Sequence, residues 1–485
     1  MRIADLISLA ASRDAGLVSR LAAVYAGNSD LAADACARIA SLARHYASSF
    51  GASGDVAVVR APGRVNLIGE HTDYNGLPVM PMAISRDVLI VAGGTAGRTV
   101  RITNTDNGFP DRVFTIERRI PPYQPGDWAN YIKSATQGLI DFWNSDDGIH
   151  GFDMATSGNV PIASGLSSSA AFTIASALAL LATHQRSIEP VAFADTMAKS
   201  DHYVGMASGG MDQATSVLGQ PGSCLRIDFH PLRIQAMHLP AATTVVVCHS
   251  RVKAAKAGNA RDEYNRRVVE CRLAVALLHK LGGHKDAPTP TLLSEWRATH
   301  TAGHADALGQ IARLLHIGGY RFEELAQLLG ISRHEVSAAY CATPSGAALA
   351  EPSDGFQLKR RSRHVISEAH RVDEATAVLG AGEADAASQF GALMNASHES
   401  CRSDYGISCA ELDALVGAAR DAGAFGARLT GAGFGGCTVN LVRAGSAPAF
   451  FQKINEAYYR PKGLDALADN LFEFSPASGA GVLIT

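Results

Sequence analysis

Between Gly63 and Gly76, the stretch GRVNLIGEHTDYNG crowds Arg64, Glu70, His71 and Asp73 around the apolar Val65, Leu67 and Ile68. A strand does not need that density of titratable groups, and a solvent loop rarely alternates that way. A second stretch, GNVPIASGLSSSAA (158–171), places Gly165 at a tight bend and Ser167, Ser168 and Ser169 at the head of an Ala-rich run. A helix N-terminus offers unpaired N–H groups and partial positive charge, and so holds phosphate well. Serine hydroxyls there can add hydrogen bonds or ligate Mg²⁺. An ordinary N-cap would account for one serine but fits three in a row less well. No GxxxxGK[ST] occurs, which argues against a Walker-type nucleotide site.

Three further stretches carry weaker chemistry. In GGMDQ (209–213), Asp212 with a nearby arginine could be a poised base, and equally could cap a helix. GAGFGG (431–436) looks like a dinucleotide fingerprint, yet the following CTVNLV is strand-like. It is better read as a Gly-rich turn between strands, either structural or close to a ligand. ELAQLLGISRHEV (324–336) has the outline of a DNA-reading helix-turn-helix. A packed helical hairpin is the alternative, and the basic run Lys359–Arg363 reads as one solvated helix face.

The elements that must position these residues follow from periodicity. Residues 1–50 are Ala-rich with helical apolar spacing, broken at GASG. VAVVRA, VLIVAGG, TVRITN and FDMATSG read as strands, and TTVVVCHS begins a second strand region. Helices are expected over 128–142, 170–181, 263–281 and much of 357–425, with a helical insert at 282–356. Strands mixed irregularly with helices predict an α+β fold.

The chain of 485 residues can form two or more domains, and 47% apolar with 18% charged residues is the composition of a soluble globular protein. A net charge of −3 gives no electrostatic case for nucleic acid or an anionic membrane. The eight cysteines form no CxxC and no zinc spacing, so buried thiols in a cytoplasmic, reducing compartment are expected.

In their order along the chain, GRVNLIGEHTDYNG, PIASGLSSSAA, GGMDQ and ARLTGAGFGGC resemble the motifs of the GHMP small-molecule kinases. EHTDYNG is similar to the signature of the galactokinases within them, and the resemblance runs from about Ala61 to Val442. It implies a two-lobed fold: a mixed-sheet N-terminal lobe over 51–235, following the 1–50 extension, and a ferredoxin-like C-terminal lobe over 236–485 that includes the insert. It implies transfer of the ATP γ-phosphoryl group to the C1 hydroxyl of a hexose, with Mg²⁺, by a monomer. Asp212 then resembles the catalytic base and Arg64 its partner. Glu70, His71, Asp73, Gly209 and Tyr264 resemble the sugar-binding set, since carboxylates read hydroxyl geometry. Ala163, Ser164, Gly165, Leu166, Ser167, Ser168, Ser169 and Ala170 would wrap the ATP phosphates, with Ser169 and Asp201 on Mg²⁺. Relatives carry Glu where this chain has Asp201, one methylene shorter. The insert and the LMNASHESCRSDYGISC stretch resemble the longer eukaryotic-type galactokinases and N-acetylgalactosamine kinases. Thr72, Asn75 and Tyr264 favour galactose, with N-acetylgalactosamine the alternative. A sensor that binds galactose and ATP without turnover is a third reading, to which the complete GLSSSAA loop is opposed.

Overall fold

The computed structural model describes residues 1–252, 260–283, 288–344, 346–464 and 467–485. The chain opens with three helices, α1 (Ile3–Ala11), α2 (Ala15–Val24) and α3 (Ser29–Phe50). Side chains of Asp14 and Asn28 accept the first free N–H groups of α2 and α3, which fixes where those helices begin. Strands β1 (Ala57–Ile68), β2 (Met80–Gly94), β3 (Thr99–Asn104), β4 (Arg112–Thr115) and β5 (Phe152–Gly158) follow, with α4 (Asn130–Trp143) before β5.

These strands form a six-stranded mixed sheet in the order β12-β1-β2-β5-β3-β4, where β12 (Gly481–Ile484) brings the chain end back beside β1. Both faces of the sheet are covered, and the period of two shows it. Val59, Val88, Ile90 and Ala92 point to α4 and α5 (Ser168–Thr183), while Val58, Leu89 and Val91 point to α1–α3. The N-terminal extension is therefore the second cover of the sheet.

α6 (Pro190–Ser200) and α7 (Met211–Leu218) lead to a β6 (Cys224–Asp228)–β7 (Arg233–Met237) hairpin. The second lobe is a four-stranded sheet in the order β11-β8-β10-β9, from β8 (Thr243–His249), β9 (Gly426–Thr430), β10 (Cys437–Arg443) and β11 (Leu471–Phe474). Around it lie α8 (Ala260–Leu281), α13 (Leu358–Ala381), α14 (Ala386–Ser400), α15 (Ala410–Asp421) and α16 (Ala447–Ile454). A core shared by Val65, Leu67 and Ile68 of β1, Val439 of β10 and Phe390 of α14 joins the lobes.

The insert contributes α9 (Leu293–His300), α10 (His304–Leu314), α11 (Phe322–Leu329) and α12 (Arg333–Tyr340); its residues 284–287 and 345 lie outside the described residues. α11 and α12 form the packed hairpin rather than a DNA reader. Gly330 turns the chain, Ser332 and Glu335 cap α12 reciprocally, and Leu325, Leu329 and Val336 face the core around α8. The solvated face expected at Lys359–Arg363 needs correction. Arg361 is buried, donating to Glu270 and to the Asp404 and Tyr405 carbonyls. Its side chain is a core strut between α13, α8 and the segment after α14.

One charge cluster ties the extension to the sheet. Asp87 of β2 is fully buried and accepts from Arg60 Nε at 2.6 Å, Arg38 Nη1 at 2.7 Å and Tyr25 Oη at 2.6 Å. Burial raises its carboxyl, but the two guanidiniums outweigh burial and hold it below the ordinary range. Asp87→Asn strands two cations and is expected to cost about 3–5 kcal/mol in urea unfolding. A loss below about 1 kcal/mol, the scale of an exposed pair, would show that the cluster does not anchor the extension.

Candidate active site

The opening stretch is half strand and half turn. β1 runs through Ile68, and its pairing with β2 shifts register between Pro62 and Arg64, and again between Asn66 and Ile68. Such irregularities re-aim side chains, and Arg64 faces the cleft between the lobes. Gly69 ends the strand with φ +92°. Thr72 then donates to Gly69 O and Pro78 O, and Asn75 donates to His71 O. The polar atoms of Thr72 and Asn75 are thus spent on the turn. Neither side chain lines the cavity.

Arg64, Glu70, His71, Asp73, Ser169, Ala170, Asp201, Asp212 and Tyr264 all line one cavity of about 180 Å³. That volume is below the ~300–1,000 Å³ of drug-sized sites, so a small ligand fits. Gly209 is not on the wall. A Cβ there would lie 2.1 Å from Tyr74 N, so the glycine lets α7 approach the turn that carries Asp73. Residues 163–168 form the bend beside the cavity rather than its wall.

Asp212, in the first turn of α7, does not cap its helix. Arg64 Nε donates to its Oδ1 at 2.7 Å, with Nη2 2.5 Å from the same oxygen, and Ser167 Oγ donates to Oδ2. Arg64 Nη1 also donates to Gly165 O, at 2.5 Å. One arginine therefore ties the acid to the serine loop. Ser167 itself sits at φ +56°, a left-handed conformation that is costly for a side-chain residue and found at functional bends. Beyond it, α5 presents first-turn N–H groups without intrahelical partners, the site expected for an anion.

The second glycine loop explains itself here. A Cβ on Gly165 would meet Thr430 O at 2.6 Å, and one on Gly431 would meet Gly165 O at 2.7 Å. GAGFGG is the turn between β9 and β10, and it packs backbone to backbone on the serine loop. Gly431 and Ala432 reach the cavity wall.

The carboxylates are held by different means. Glu70 is 2% exposed, and its Oε2 accepts from Arg428 Nη2 at 2.9 Å and Gly431 N at 3.2 Å. Burial pushes the Glu70 carboxyl up, and Arg428 then Arg64 oppose the rise. Its backbone is clamped as well. Glu368 Oε1 accepts from Gly69 N at 2.9 Å and Glu70 N at 3.2 Å, and His364 Nε2 donates to Glu70 O at 3.0 Å. Among the described residues Asp73 has no cationic partner, and burial, then Asp212, push it up to about 6. Asp201 is pushed up to about 7 by burial, which Ser208 and Gln213 oppose.

An aromatic wall completes the cavity. Ala432 O can only accept, so His71 Nε2, 3.2 Å away, carries the proton, and Nδ1 accepts from Tyr74 Oη at 2.9 Å. Burial, then the neighbouring His364, lower His71 to about 3, so the ring is neutral at pH 7. Tyr264 packs 5.3 Å from His71 and 5.5 Å from Tyr74, centroid to centroid.

Several wall residues escaped the sequence reading: Tyr131, Val204, Met206, Ser208 and Gln213. Gln213 adjoins Asp212 in GGMDQ, so proximity could have flagged it. Arg428, behind the wall, lies within the ARLTGAGFGGC motif but was given no role there, and Glu368 carries no motif signal because it lies inside an ordinary helix pattern.

A serine loop at a helix N-terminus, locked on a glycine turn of a second lobe and facing an Arg–Asp pair, defines a GHMP kinase. Residues 130–220 match the GHMP kinases N terminal domain and residues 383–460 the GHMP kinases C terminal family. Residues 44–93 match the galactokinase galactose-binding signature. The chain is 32% identical to the galactokinase of Dictyostelium discoideum over 463 residues (87% of this chain, 89% of that one). It is 33% identical to the galactokinase of Homo sapiens over 429 residues (87% and 92%). The crystal structure of Lactococcus lactis galactokinase complexed with galactose superposes with a TM-score of 0.72 at 25% identity, covering 92% of this chain and 99% of that one. The chain belongs to the galactokinase family.

Arg428→Met tests the clamp on Glu70. It leaves a buried carboxylate without its cation and is expected to cost about 3–5 kcal/mol in chemical denaturation. Restoration of much of that loss by Glu70→Gln in the same chain is the expected sign of a direct pair.

Proposed function

We infer that the protein is a galactokinase, transferring the γ-phosphoryl group of ATP to the C1 hydroxyl of galactose to give galactose 1-phosphate. The observation that carries this reading is the Arg64–Asp212 pair, tied by Ser167 to the serine loop and standing in one cavity with Glu70 and Asp73. The sugar hydroxyl gives its proton to Asp212, the hydroxyl oxygen forms the new bond to γ-phosphorus, and the bond to the β–γ bridging oxygen breaks to release ADP. Arg64 is paired with Asp212 and faces the charge on the transferring group. Glu70 and Asp73 accept sugar hydroxyls, His71 can share its Nε2–H, and Tyr264 packs against the pyranose.

The loop Ala163–Ala170 and the α5 N-terminus hold the phosphates in this reading. Trp128, stacked on Phe172 of α5 at 5.6 Å, lies on the adenine side. Asn104 ends β3, with Thr105 directly after it. Ser169 and Asp201 would hold Mg²⁺: both are oxygen donors on one cavity wall, as a hard cation requires. When bound, the cation neutralises phosphate charge. The lobes divide as residues 51–235 and 236–485, with β12 returning to the first. No helix among the described residues is long and apolar enough to cross a membrane. Eight free thiols, seven of them buried, support a cytoplasmic setting.

ADP production from ATP should depend on galactose in an assay run beside N-acetylgalactosamine, glucose and mevalonate. Galactose binding without ADP would make the protein a sensor. Asp212→Asn should keep galactose binding in calorimetry and lose about 10²–10⁴-fold in turnover. Near-wild-type turnover would remove Asp212 as the base.

Asp73 sets a pH dependence. Its pKa is raised to about 6, so it is a carboxylate above that pH and a neutral acid below it. A carboxylate accepts from sugar hydroxyls more fully than the acid does. Galactose affinity should therefore fall as pH drops through about 6, with proton release on binding below that pH. Calorimetry in buffers of different ionisation enthalpy reads that release; equal heats in both buffers at low pH would show that Asp73 is not the group.

A further inference from the structure

Asp201 is held by one oxygen only. Gln213 Nε2 donates to its Oδ2 at 2.6 Å, and Ser208 Oγ donates to the same Oδ2 at 2.8 Å. Among the described residues no donor reaches Oδ1, and the side chain lines the cavity with Ser169. The orientation of the Gln213 amide follows from chemistry: a carboxylate oxygen accepts, so the nitrogen must face Asp201 and Oε1 must face away. Gln213 is 1% exposed, and Oε1 is buried with no hydrogen-bond partner.

We propose that Gln213 and Ser208 are positioning residues for the divalent cation. They pin Asp201 by Oδ2, which leaves Oδ1 for the cation. The inference rests on the reading of Asp201 as a cation ligand. It gives a physical answer to the shorter side chain at position 201. An aspartate has less reach than a glutamate, and two donors on one oxygen leave its carboxylate a single orientation. Outer partners of this kind fix the orientation of the liganding group. Gln213 leaves α7 one residue after Asp212, so the same helix turn would set both the proton acceptor and the cation's support. Neither Gln213 nor Ser208 is placed to take a proton or touch the sugar's reacting oxygen; they act through Asp201.

The test is Mn²⁺ binding, followed by electron paramagnetic resonance of the free ion, in the full chain saturated with a non-hydrolysable ATP analogue. Gln213→Met, close in size but without donor or acceptor, should weaken Mn²⁺ about 10–100-fold, and Ser208→Ala should weaken it less. Galactose affinity should be unchanged in both, and turnover of both should recover as Mg²⁺ is raised. If Asp201→Ala leaves Mn²⁺ affinity at the wild-type value, the assignment of Asp201 as a ligand fails. If Asp201→Ala weakens Mn²⁺ while Gln213→Met and Ser208→Ala do not, Asp201 stands and the positioning roles are overturned. If the variants lose galactose affinity in proportion, the effect is general to the fold and the proposal is likewise overturned.

Discussion

The ion pair between Arg428 and Glu70 fixes the relation between the two lobes at the point where chemistry is done. Arg428 is fully buried on β9, and its guanidinium donates to Asn66 O at 3.1 Å as well as to Glu70. A charge taken out of water is tolerated only where it is paired. That requirement leaves β9 little choice about where it meets the end of β1. Once the two strands are so joined, the turn after β9 falls on the serine loop, and Arg64 on β1 reaches both that loop and Asp212. The Glu368 and His364 contacts from α13 close the same junction from behind. A displacement of β9 would therefore be felt together at the turn after Gly69, the serine loop and Asp212.

Much of this was legible because certain residues can do only a few things. CTVNLV is β-branched and cannot open a helix comfortably, so GAGFGG read correctly as a turn between strands. The serine loop read correctly because a glycine bend, three serines and an alanine run specify a helix start. The six-stranded sheet was visible piecewise in VAVVRA and VLIVAGG as short, β-branched apolar runs. What the sequence concealed was every interaction made at long range by a residue of ordinary local type. Arg361 sits in a run of basic residues that looks solvated, and only Glu270 on another helix makes its burial tolerable. Thr72 and Asn75 sit beside Glu70, His71 and Asp73, yet Thr72 Oγ1 and Asn75 Nδ2 donate to carbonyls of the turn itself. Arg428 alternates along β9 as any outward residue would. Partners distant in sequence decide these cases, and no local period reports them.

The charge balance of the cavity follows from the same geometry. Four carboxylates line it, Glu70, Asp73, Asp201 and Asp212, and two guanidiniums among the described residues pair with Glu70 and Asp212. Asp73 and Asp201 have hydrogen bonds but no cation, and theirs are the carboxyls pushed up to about 6 and about 7. Burial without a counter-charge is the common cause, with Asp212 adding to both. The two groups are left for different ligands. Asp73 stands on the aromatic side with His71 and Tyr264, where neutral hydroxyls can be accepted without a change in net charge. Asp201 stands with Ser169 and Gln213 beside the phosphate bend, where a divalent cation would supply the charge that the protein withholds. A guanidinium placed permanently at Asp201 would satisfy the carboxylate and close the site to the cation. Hydrogen bonds from Ser208 and Gln213 orient the same carboxylate while leaving its charge available.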